Sequence, residues 1–246
     1  MRLVRLGYRL LRAFFHTFAG FWIIRTRFHR LSAEEQGQHV NIWARQMLAI
    51  SGVELVLKGE PLATGPVLLV ANHISWLDIL VMHSAVYCRF ISKSEVKRWP
   101  LVGTLAAGAG TLFIERESRR DAHRVLHHMV AHLHEGQALA VFPEGTTSDG
   151  LSLLPFHANL IQAAITANAP VQAMALRFID RRTGLVSQAP SFVGDDTLLG
   201  SMWRTLTARA LIAQVTVGAP ELARGRDRRA WAKDLQNEVQ RLRDAD

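Results

Sequence analysis

Two short polar segments of this chain each follow directly on an apolar, strand-like run. The first contains His73 and Asp78, five positions apart, and follows residues 67–71. The second contains Glu144 and follows residues 138–141. Open α/β sheets place their chemistry at strand ends that face a common crevice. A histidine with carboxylates in reach suits general base catalysis, so both segments are candidate parts of an active site.

The pair of His73 and Asp78 admits two interpretations. In the first, Ser75 and Asp78 form a capping box for a helix that starts at Trp76, where Asp78 also suits the helix dipole. In the second, Asp78 accepts the proton of one ring nitrogen of His73, which fixes the tautomer and leaves the other nitrogen as a base. An unperturbed imidazole, with a pKa of ~6.5, can take a hydroxyl proton at neutral pH. The segment by itself favours neither interpretation.

The second segment leaves its strand through Pro143 and Gly145. A loop of this kind presents backbone amides, the carboxylate of Glu144 and the hydroxyl of Thr146, which together can orient a polyol and hold an oxyanion. An ordinary strand-to-loop turn with a solvated glutamate has the same composition, so that alternative stays open at this point.

The positive charge of the chain is concentrated at its N-terminus. The first 30 residues contain seven arginines and no acidic residue, so they carry nearly all of the net charge of +8. A nucleic-acid-binding domain would place its basic residues on the folded body, so we expect no nucleic-acid partner. In a helix these residues would form a basic stripe beside an apolar stripe. The basic stripe consists of Arg2, Arg5, Arg9 and Arg12. The apolar stripe consists of Leu3, Leu6, Leu10, Phe14 and Phe18.

These stripes predict a helix that lies in the membrane interface, with arginines toward anionic head groups and apolar side chains toward the acyl chains. The apolar run 13–24 is shorter than the roughly 20 residues of a bilayer span, although a span with snorkelling arginines at its ends stays open. A cleaved signal peptide is disfavoured, because His16 lies within the run and no small-residue cleavage pattern follows it.

Strands and helices alternate along the rest of the chain. We predict strands at residues 53–58, 67–71, 89–92, 111–114, 138–142, 171–178 and 211–217, with a loop or short hairpin at 180–196. Helices are predicted at residues 31–52, 76–86, 100–107, 118–135, 159–168, 198–210 and 227–243. This alternation is typical of an α/β fold with a mixed, mainly parallel sheet flanked by helices.

The 246 residues are 49% hydrophobic, which is enough for one sizeable core, and no linker interrupts the alternation. We therefore divide the chain into membrane-associated helices at residues 1–50 and a catalytic domain at residues 51–246. The single cysteine, Cys88, excludes an internal disulfide and a Cys-rich metal site. Five histidines crowd one predicted helix, but no Cys, Asp or Glu completes a recognised ligand spacing, so we expect no metal site.

The two polar segments together resemble the glycerolipid acyltransferase family, which makes phosphatidic acid and related lipids. The first segment, Asn72-His73-Ile74-Ser75-Trp76-Leu77-Asp78, is similar to the family's His-x4-Asp motif, and Phe142-Pro143-Glu144-Gly145-Thr146 is similar to its Pro-Glu-Gly-Thr motif. Three further segments fit in order, at residues 90–95, 110–116 and 169–175. The resemblance covers roughly residues 53–220.

The resemblance implies a role for each site residue. His73 is the catalytic base and Asp78 orients it, so that a lysolipid hydroxyl attacks the thioester of an acyl-carrier protein or coenzyme A. No cofactor and no enzyme nucleophile is then needed beyond this co-substrate. Arg116 and Lys93 would face the anionic head group. The remaining substrate-binding residues implied are Asn72, Ser75, Glu144, Gly145 and Thr146.

One position departs from the family's pattern. Members that act on lysophosphatidic acid commonly have an arginine directly after Pro-Glu-Gly-Thr, whereas this chain has Thr147. The loss of that cation favours the branch that acylates lyso-ornithine lipid, although Arg116 remains for a phosphate. The resemblance also implies membrane lipids as partners and a place on the cytoplasmic side of the inner (cytoplasmic) membrane.

Two other classes of function remain as alternatives. A lipid or thioester hydrolase would use water in place of the acceptor hydroxyl, and it would release free fatty acid without any lysolipid. A non-catalytic membrane-docking protein would keep the fold alone, and the presence of His73, Asp78 and Glu144 argues against it. The serine hydrolase elbow and the phosphate-loop signature are both absent from the sequence.

Overall fold

The computed structural model describes residues 2–62, 64–114 and 119–245. Within these ranges one sheet contains the strands β1 (Val53–Lys58), β2 (Val67–Ala71), β3 (Arg89–Lys93), β4 (Leu112–Ile114), β5 (Ala138–Val141), β6 (Val171–Asp180) and β7 (Leu211–Glu221). The α-helices are α1 (Arg2–Thr26), α2 (Ala33–Ser51), α3 (Leu77–Ala85), α4 (Val102–Gly108), α5 (Arg119–His134), α6 (Gln162–Ala167), α7 (Leu198–Thr207) and α8 (Arg228–Asp244). Short 3-10 helices lie at Phe28–Arg30 and Ser94–Arg98.

The sheet has the strand order β1-β7-β6-β2-β5-β3-β4. β6 and β7 run antiparallel, and every other neighbouring pair of strands runs parallel. Helices cover both faces. The prediction of an α/β fold with a mixed, mainly parallel sheet flanked by helices is therefore confirmed.

The central strand β2 is buried on both faces, as its continuous apolar sequence predicts. Leu68 and Val70 face a core shared with α5, α6 and α8, in which Trp231 is fully buried. Leu69 faces the opposite core, which α2 and α3 complete. A hydrophobic core therefore packs against each face of β2 and of its neighbour β5.

The connections that leave β2 and β5 diverge and open a crevice between the two strand ends. Val70 pairs with Val141, so both strands end at the same edge of the sheet. From there the chain enters α3 on one face, whereas the chain from β5 reaches α6 on the other. Parallel sheets bind ligands at such divergence points, and both polar segments lie there.

Two strands are longer than predicted, because the length of each depends on the strand with which it pairs. β6 continues to Asp180 and β7 to Glu221, because the two strands pair antiparallel from Asp180↔Leu211 to Val171↔Glu221. A pattern within either segment carries no information on the length of its partner. Helix α2 begins with a capping box, in which Ser32 and Glu35 exchange both hydrogen bonds, as the Ser-x-x-Glu spacing at its start indicates.

Helix α1 lies on the folded body and leaves a broad apolar surface exposed. It contacts α2 through His16 and Trp43, whose rings stack at 5.1 Å. Arg9 departs from the expected orientation toward lipid head groups, because its guanidinium donates to the carbonyls of Leu206 at 2.6 Å and Ala208 at 3.0 Å. Within the described ranges, no helix is both long and apolar enough to cross a membrane.

Candidate active site

The structure brings His73 and Asp78 into direct contact. Nδ1 of His73 lies 2.8 Å from Oδ2 of Asp78. An ionised carboxylate only accepts hydrogen bonds, so the ring proton sits on Nδ1 and leaves Nε2 with a free lone pair. The His73 side chain is 19% exposed, whereas Asp78 is completely buried. Asp78 therefore orients the imidazole from the protein interior, while part of the ring stays accessible to solvent.

Asp78 also organises the backbone of the loop that carries the histidine. Its Oδ2 accepts the N–H of Ile74 at 2.6 Å and that of Ser75 at 2.9 Å. Among the described residues no donor reaches its buried Oδ1. The capping box predicted for Ser75 and Asp78 is thus only half formed, because the N–H of Asp78 goes to the carbonyl of Ser75 and not to its hydroxyl. The contact with His73 is the one that the catalytic interpretation predicts.

The imidazole lies flat against an aromatic side chain from the second segment. The rings of His73 and Phe142 stack with centroids 4.1 Å apart and planes 5° from parallel. Phe90 also stacks with Phe142, with ring centroids 5.5 Å apart. The three rings therefore connect the ends of β2 and β5 with β3.

The turn after β5 holds the backbone of His73 on both sides. Its N–H donates to Oε1 of Glu144 at 2.7 Å, and its carbonyl accepts from the N–H of Ser148 at 2.8 Å. The hydroxyl of Ser148 donates to the same carbonyl at 3.1 Å. The two polar segments therefore form one unit in which the second fixes the main chain of the first.

Glu144 is buried, and both of its carboxylate oxygens are used within the protein. Oε2 accepts the N–H of Leu154 at 2.8 Å, while Oε1 accepts that of His73. Burial raises the pKa of Glu144, and the hydrogen bonds from Leu154 and His73 act in the opposite direction. This geometry favours a positioning role over the direct acceptor contact that the resemblance implies.

Asn72 and Ser75 also have fully buried side chains. The amide of Asn72 donates to the carbonyl of Leu176 at 3.0 Å and accepts its N–H at 2.7 Å, which ties the end of β2 to β6. The hydroxyl of Ser75 donates to the carbonyl of Pro190 at 2.5 Å and accepts the N–H of Leu77. Both side chains hold the loop through hydrogen bonds to the main chain, and this favours a structural role over contact with a substrate.

The other predicted site residues lie at the rim or outside the described parts. Gly145 and Thr146 are exposed beside the crevice. Gly145 has a φ of +73°, and a Cβ there would lie 3.1 Å from the ring of His157. The side chain of Lys93 and the whole of Arg116 lie outside the described residues.

Segment 190–192 forms a further wall that the sequence did not indicate. Phe192 donates its N–H to the carbonyl of Ile74 at 3.2 Å, and its own carbonyl accepts the hydroxyl of Thr147. Pro190 accepts from Ser75. These contacts join sequence positions more than 40 residues apart, so no local pattern could have revealed them. Phe142 and Ser148, by contrast, lie within or next to the recognised motif.

The arrangement can activate a hydroxyl group. Nε2 of His73 is the ring nitrogen that does not contact Asp78, on a partly exposed imidazole whose other nitrogen bonds a buried carboxylate. Such a group removes a proton as an oxygen attacks an electrophilic carbon. Among the described residues no group of three or more metal-type side chains is found.

The chain is similar to known proteins over most of its length. The model of the family described as Acyltransferase matches residues 53–177. A lyso-ornithine lipid O-acyltransferase of Pseudomonas aeruginosa is 38% identical over 197 residues, covering 80% of this chain and 75% of that protein. A 1-acyl-sn-glycerol-3-phosphate acyltransferase of Neisseria gonorrhoeae is 39% identical over 195 residues, covering 78% of this chain and 76% of that protein.

A solved structure shares the fold. The crystal structure of the 1-acyl-sn-glycerophosphate (LPA) acyltransferase of Thermotoga maritima superposes with a TM-score of 0.71 at 18% identity. The match covers 98% of this chain and 94% of that one. It therefore includes the N-terminal helices as well as the sheet.

Removal of the Asp78 carboxylate is expected to release the tautomer of His73. In Asp78→Ala the Nδ1 proton loses its acceptor, so the Nε2-protonated form should become the major one. Nitrogen-15 NMR of the histidine rings measures this population directly. Ser75→Ala is the matched control, because it removes a buried hydroxyl from the same loop and leaves the His73–Asp78 contact intact. An unchanged Nδ1-protonated form in Asp78→Ala would contradict the assignment.

Proposed function

This chain belongs to the acyltransferase family, and from that membership we propose that it is a lysolipid O-acyltransferase of membrane lipid biosynthesis. It moves a fatty acyl group from an acyl-carrier protein or coenzyme A thioester to the hydroxyl of 1-acylglycerol-3-phosphate or a related lysolipid. The observation that carries the proposal is the free Nε2 of His73, whose partner nitrogen donates to buried Asp78 at 2.8 Å.

The proposed transfer takes place in one direct step. Nε2 of His73 accepts the acceptor's hydroxyl proton while the hydroxyl oxygen attacks the thioester carbonyl. The carbon–oxygen bond forms, the carbon–sulfur bond breaks, and the thiolate leaves with the proton that the imidazole returns. Asp78 stabilises the transient imidazolium without taking its proton.

A covalent acyl-cysteine intermediate is disfavoured by the surroundings of Cys88. Its thiol is 1% exposed, and burial raises its pKa far above neutral. A thiol that stays protonated is a poor nucleophile. The proposal therefore assigns no bound cofactor and no enzyme nucleophile, and it treats the thioester purely as a co-substrate.

A lyso-ornithine lipid is a second candidate acceptor, and the environment of Thr147 favours it. Thr147 replaces a cation common in the lysophosphatidic acid branch, and its hydroxyl is already engaged by the carbonyl of Phe192. This position thus offers neither a positive charge nor a free donor to a phosphomonoester. The lyso-ornithine lipid O-acyltransferase of Pseudomonas aeruginosa and the 1-acyl-sn-glycerol-3-phosphate acyltransferase of Neisseria gonorrhoeae are almost equally similar to the chain.

The proposal places the enzyme on the inner membrane with helix α1 in the interface. Large apolar side chains of α1 are exposed, as is unusual for a helix in water. These are Leu3, Val4, Tyr8, Leu10, Leu11, Phe14, Phe15, Phe18 and Trp22. Arg12 and Arg25 lie over the rings of Tyr8 and Phe21, and in this proposal their charges attract anionic head groups.

Acyl transfer is expected to depend on the acceptor. Purified protein is incubated with a labelled acyl thioester and, separately, lysophosphatidic acid, other lysophospholipids or lyso-ornithine lipid. Labelled ester should form only with a lysolipid, and most rapidly with lyso-ornithine lipid. Free fatty acid at the same rate with and without acceptor would identify a hydrolase. Exclusive use of lysophosphatidic acid would contradict the role given to Thr147.

Charges in the apolar surface of α1 are expected to weaken membrane binding. Phe14→Asp combined with Phe18→Asp should reduce sedimentation with anionic vesicles by about tenfold or more, because two aromatic rings no longer enter the acyl region. Leu185→Asp is the matched control, since Leu185 is 69% exposed in a loop of the catalytic domain. Equal loss of binding in the control, or no loss in the double variant, would overturn the assignment of α1.

A further inference from the structure

Helix α7 exposes large apolar side chains on one side and buries polar side chains on the other. Leu199 is 77% exposed and Trp203 is 50% exposed. They are four positions apart, so they lie on one face of the helix. Ser201 and Thr205 lie on the opposite face and are buried. A helix on the surface of a protein in water normally shows the reverse pattern, so the outer face of α7 is suited to an apolar partner.

The exposed face of α7 adjoins helix α1. Leu206 continues the helical stripe of Leu199 and Trp203, but its side chain is buried. At this end of α7 the two helices are in contact, since Arg9 of α1 donates to the carbonyls of Leu206 and Ala208. The open part of the stripe therefore begins next to α1, and the exposed apolar surfaces of the two helices are neighbours.

The exposed tryptophans of the described chain lie on α1 or on elements next to it. Trp22 belongs to α1, Trp99 precedes α4 and Trp203 belongs to α7, and each exposes about half of its surface or more. Both α4 and α7 contact α1. Tryptophan is common at the boundary between a bilayer and water, because its ring is apolar and its N–H can stay hydrated. This distribution favours a lipid bilayer as the partner of α7.

The charges beside α7 suit an anionic surface. An open cleft of about 740 Å³ lies between the end of α7 and the loop after β6. Its charged lining residues are Arg182, Arg204, Arg209, Asp180 and Asp196, and Arg204 pairs with Asp196 at 2.9 Å. Arg182 and Arg209 are exposed and form no ion pair within the described part of the chain. Such cations beside an apolar surface attract the phosphates of anionic lipids.

The buried face of α7 holds one wall of the active-site crevice. The hydroxyl of Ser201 donates to the carbonyl of Pro190 at 2.9 Å, and Nη2 of Arg204 donates to that of Ser191 at 2.6 Å. The carbonyl of Pro190 also accepts the hydroxyl of Ser75, which belongs to the His-x4-Asp motif. The width of one helix, about 10 Å, thus separates the exposed face of α7 from this wall.

We propose that α7 docks on an anionic lipid bilayer through Leu199 and Trp203, beside α1, and thereby holds the wall at residues 190–192 close to the lipid surface. A lysolipid then enters the crevice from the bilayer, along this wall. The contact of α7 with lipid does not depend on acyl transfer, whereas its consequence for the reaction rests on the proposed function.

Quenching of tryptophan fluorescence by lipid tests the contact of Trp203. The full chain with Trp22→Phe and Trp99→Phe is bound to vesicles of phosphatidylglycerol and phosphatidylcholine, with and without bromine on the phosphatidylcholine acyl chains. Bromine should lower the emission, and a further Trp203→Phe should remove most of this loss, because the quenched ring is then absent. Trp231→Phe in the same background is the matched control, since Trp231 is fully buried in the core; it should leave the loss unchanged. The same loss with and without Trp203 would overturn the proposal.

A charge in the exposed face of α7 tests docking independently of fluorescence. Leu199→Asp should lower the affinity for the same vesicles by about tenfold, because a carboxylate replaces a side chain that enters the apolar layer. Leu222→Asp is the matched control: Leu222 is also exposed but follows the end of β7, whereas α7 precedes its start. Equal affinities of the two variants would contradict the docking of α7.

A second copy of this chain is the other occupant that the apolar face could accept. Analytical ultracentrifugation of the lipid-free protein should give the same mass for the original chain and for Leu199→Asp. A mass that falls by half in the variant would assign the face to a second copy and overturn the proposal.

Activity shows whether docking serves the reaction. Leu199→Asp should slow acyl transfer to a lysolipid carried in vesicles, but should match the original rate with a short-chain lysolipid dissolved in water. An equal loss with both acceptors would indicate a merely structural role of Leu199 and overturn the inference. Quenching of Trp203 in a protein that transfers no acyl group to any lysolipid would support the docking of α7 and contradict the proposed function instead.

Discussion

The hydrogen bond between Nδ1 of His73 and Oδ2 of Asp78 is the interaction on which the site depends. It decides which ring nitrogen carries the proton and therefore which one can act as a base. The bond is 2.8 Å long, and its carboxylate is shielded completely from water. Because the same oxygen accepts two backbone N–H groups, ring orientation and loop shape are set together.

The fold supplies what this bond needs, namely two strand ends held side by side. The parallel pairing of β2 and β5 places the two motifs side by side at one edge of the sheet. The divergence of α3 and α6 to opposite faces keeps the space above them open. The second motif then stacks Phe142 on the imidazole and clamps the main chain of His73 through Glu144 and Ser148.

Buried carboxylates hold the main chain of both motifs in place. Asp78 and Glu144 are both buried acceptors of backbone N–H groups. Burial raises the pKa of Glu144, and its hydrogen bonds from the N–H groups of Leu154 and His73 oppose that rise. The loop that carries His73 is thus held by β6 through Asn72 and by segment 190–192 through Ser75.

The sequence was a good guide wherever the information is local. The order of strands and helices, the capping box of α2 and the placement of both motifs at strand ends follow from periodicity and turn residues. The proximity of His73, Asp78 and Glu144 was also predictable. Roles that depend on burial were not, since nothing local distinguishes a buried Asn72 or Glu144 from one that faces a substrate.

Long-range contacts account for the rest of the differences. The length of the β6–β7 pair depends on two segments about 30 residues apart. Arg9 faces the carbonyls at the end of α7 although its helical stripe is otherwise suited to lipid. Arg243 on α8 is buried and donates to the carbonyl of Gly150, a contact that no motif near residue 150 encodes.

The rate of acyl transfer to a lysolipid by His73→Ala, measured beside the original protein in the same vesicles, tests the central claim most directly. Loss of the base should lower the rate by a factor on the order of 10² to 10⁴, with unchanged circular dichroism and vesicle binding. A folded His73→Ala protein that transfers acyl groups at close to the original rate would contradict the account.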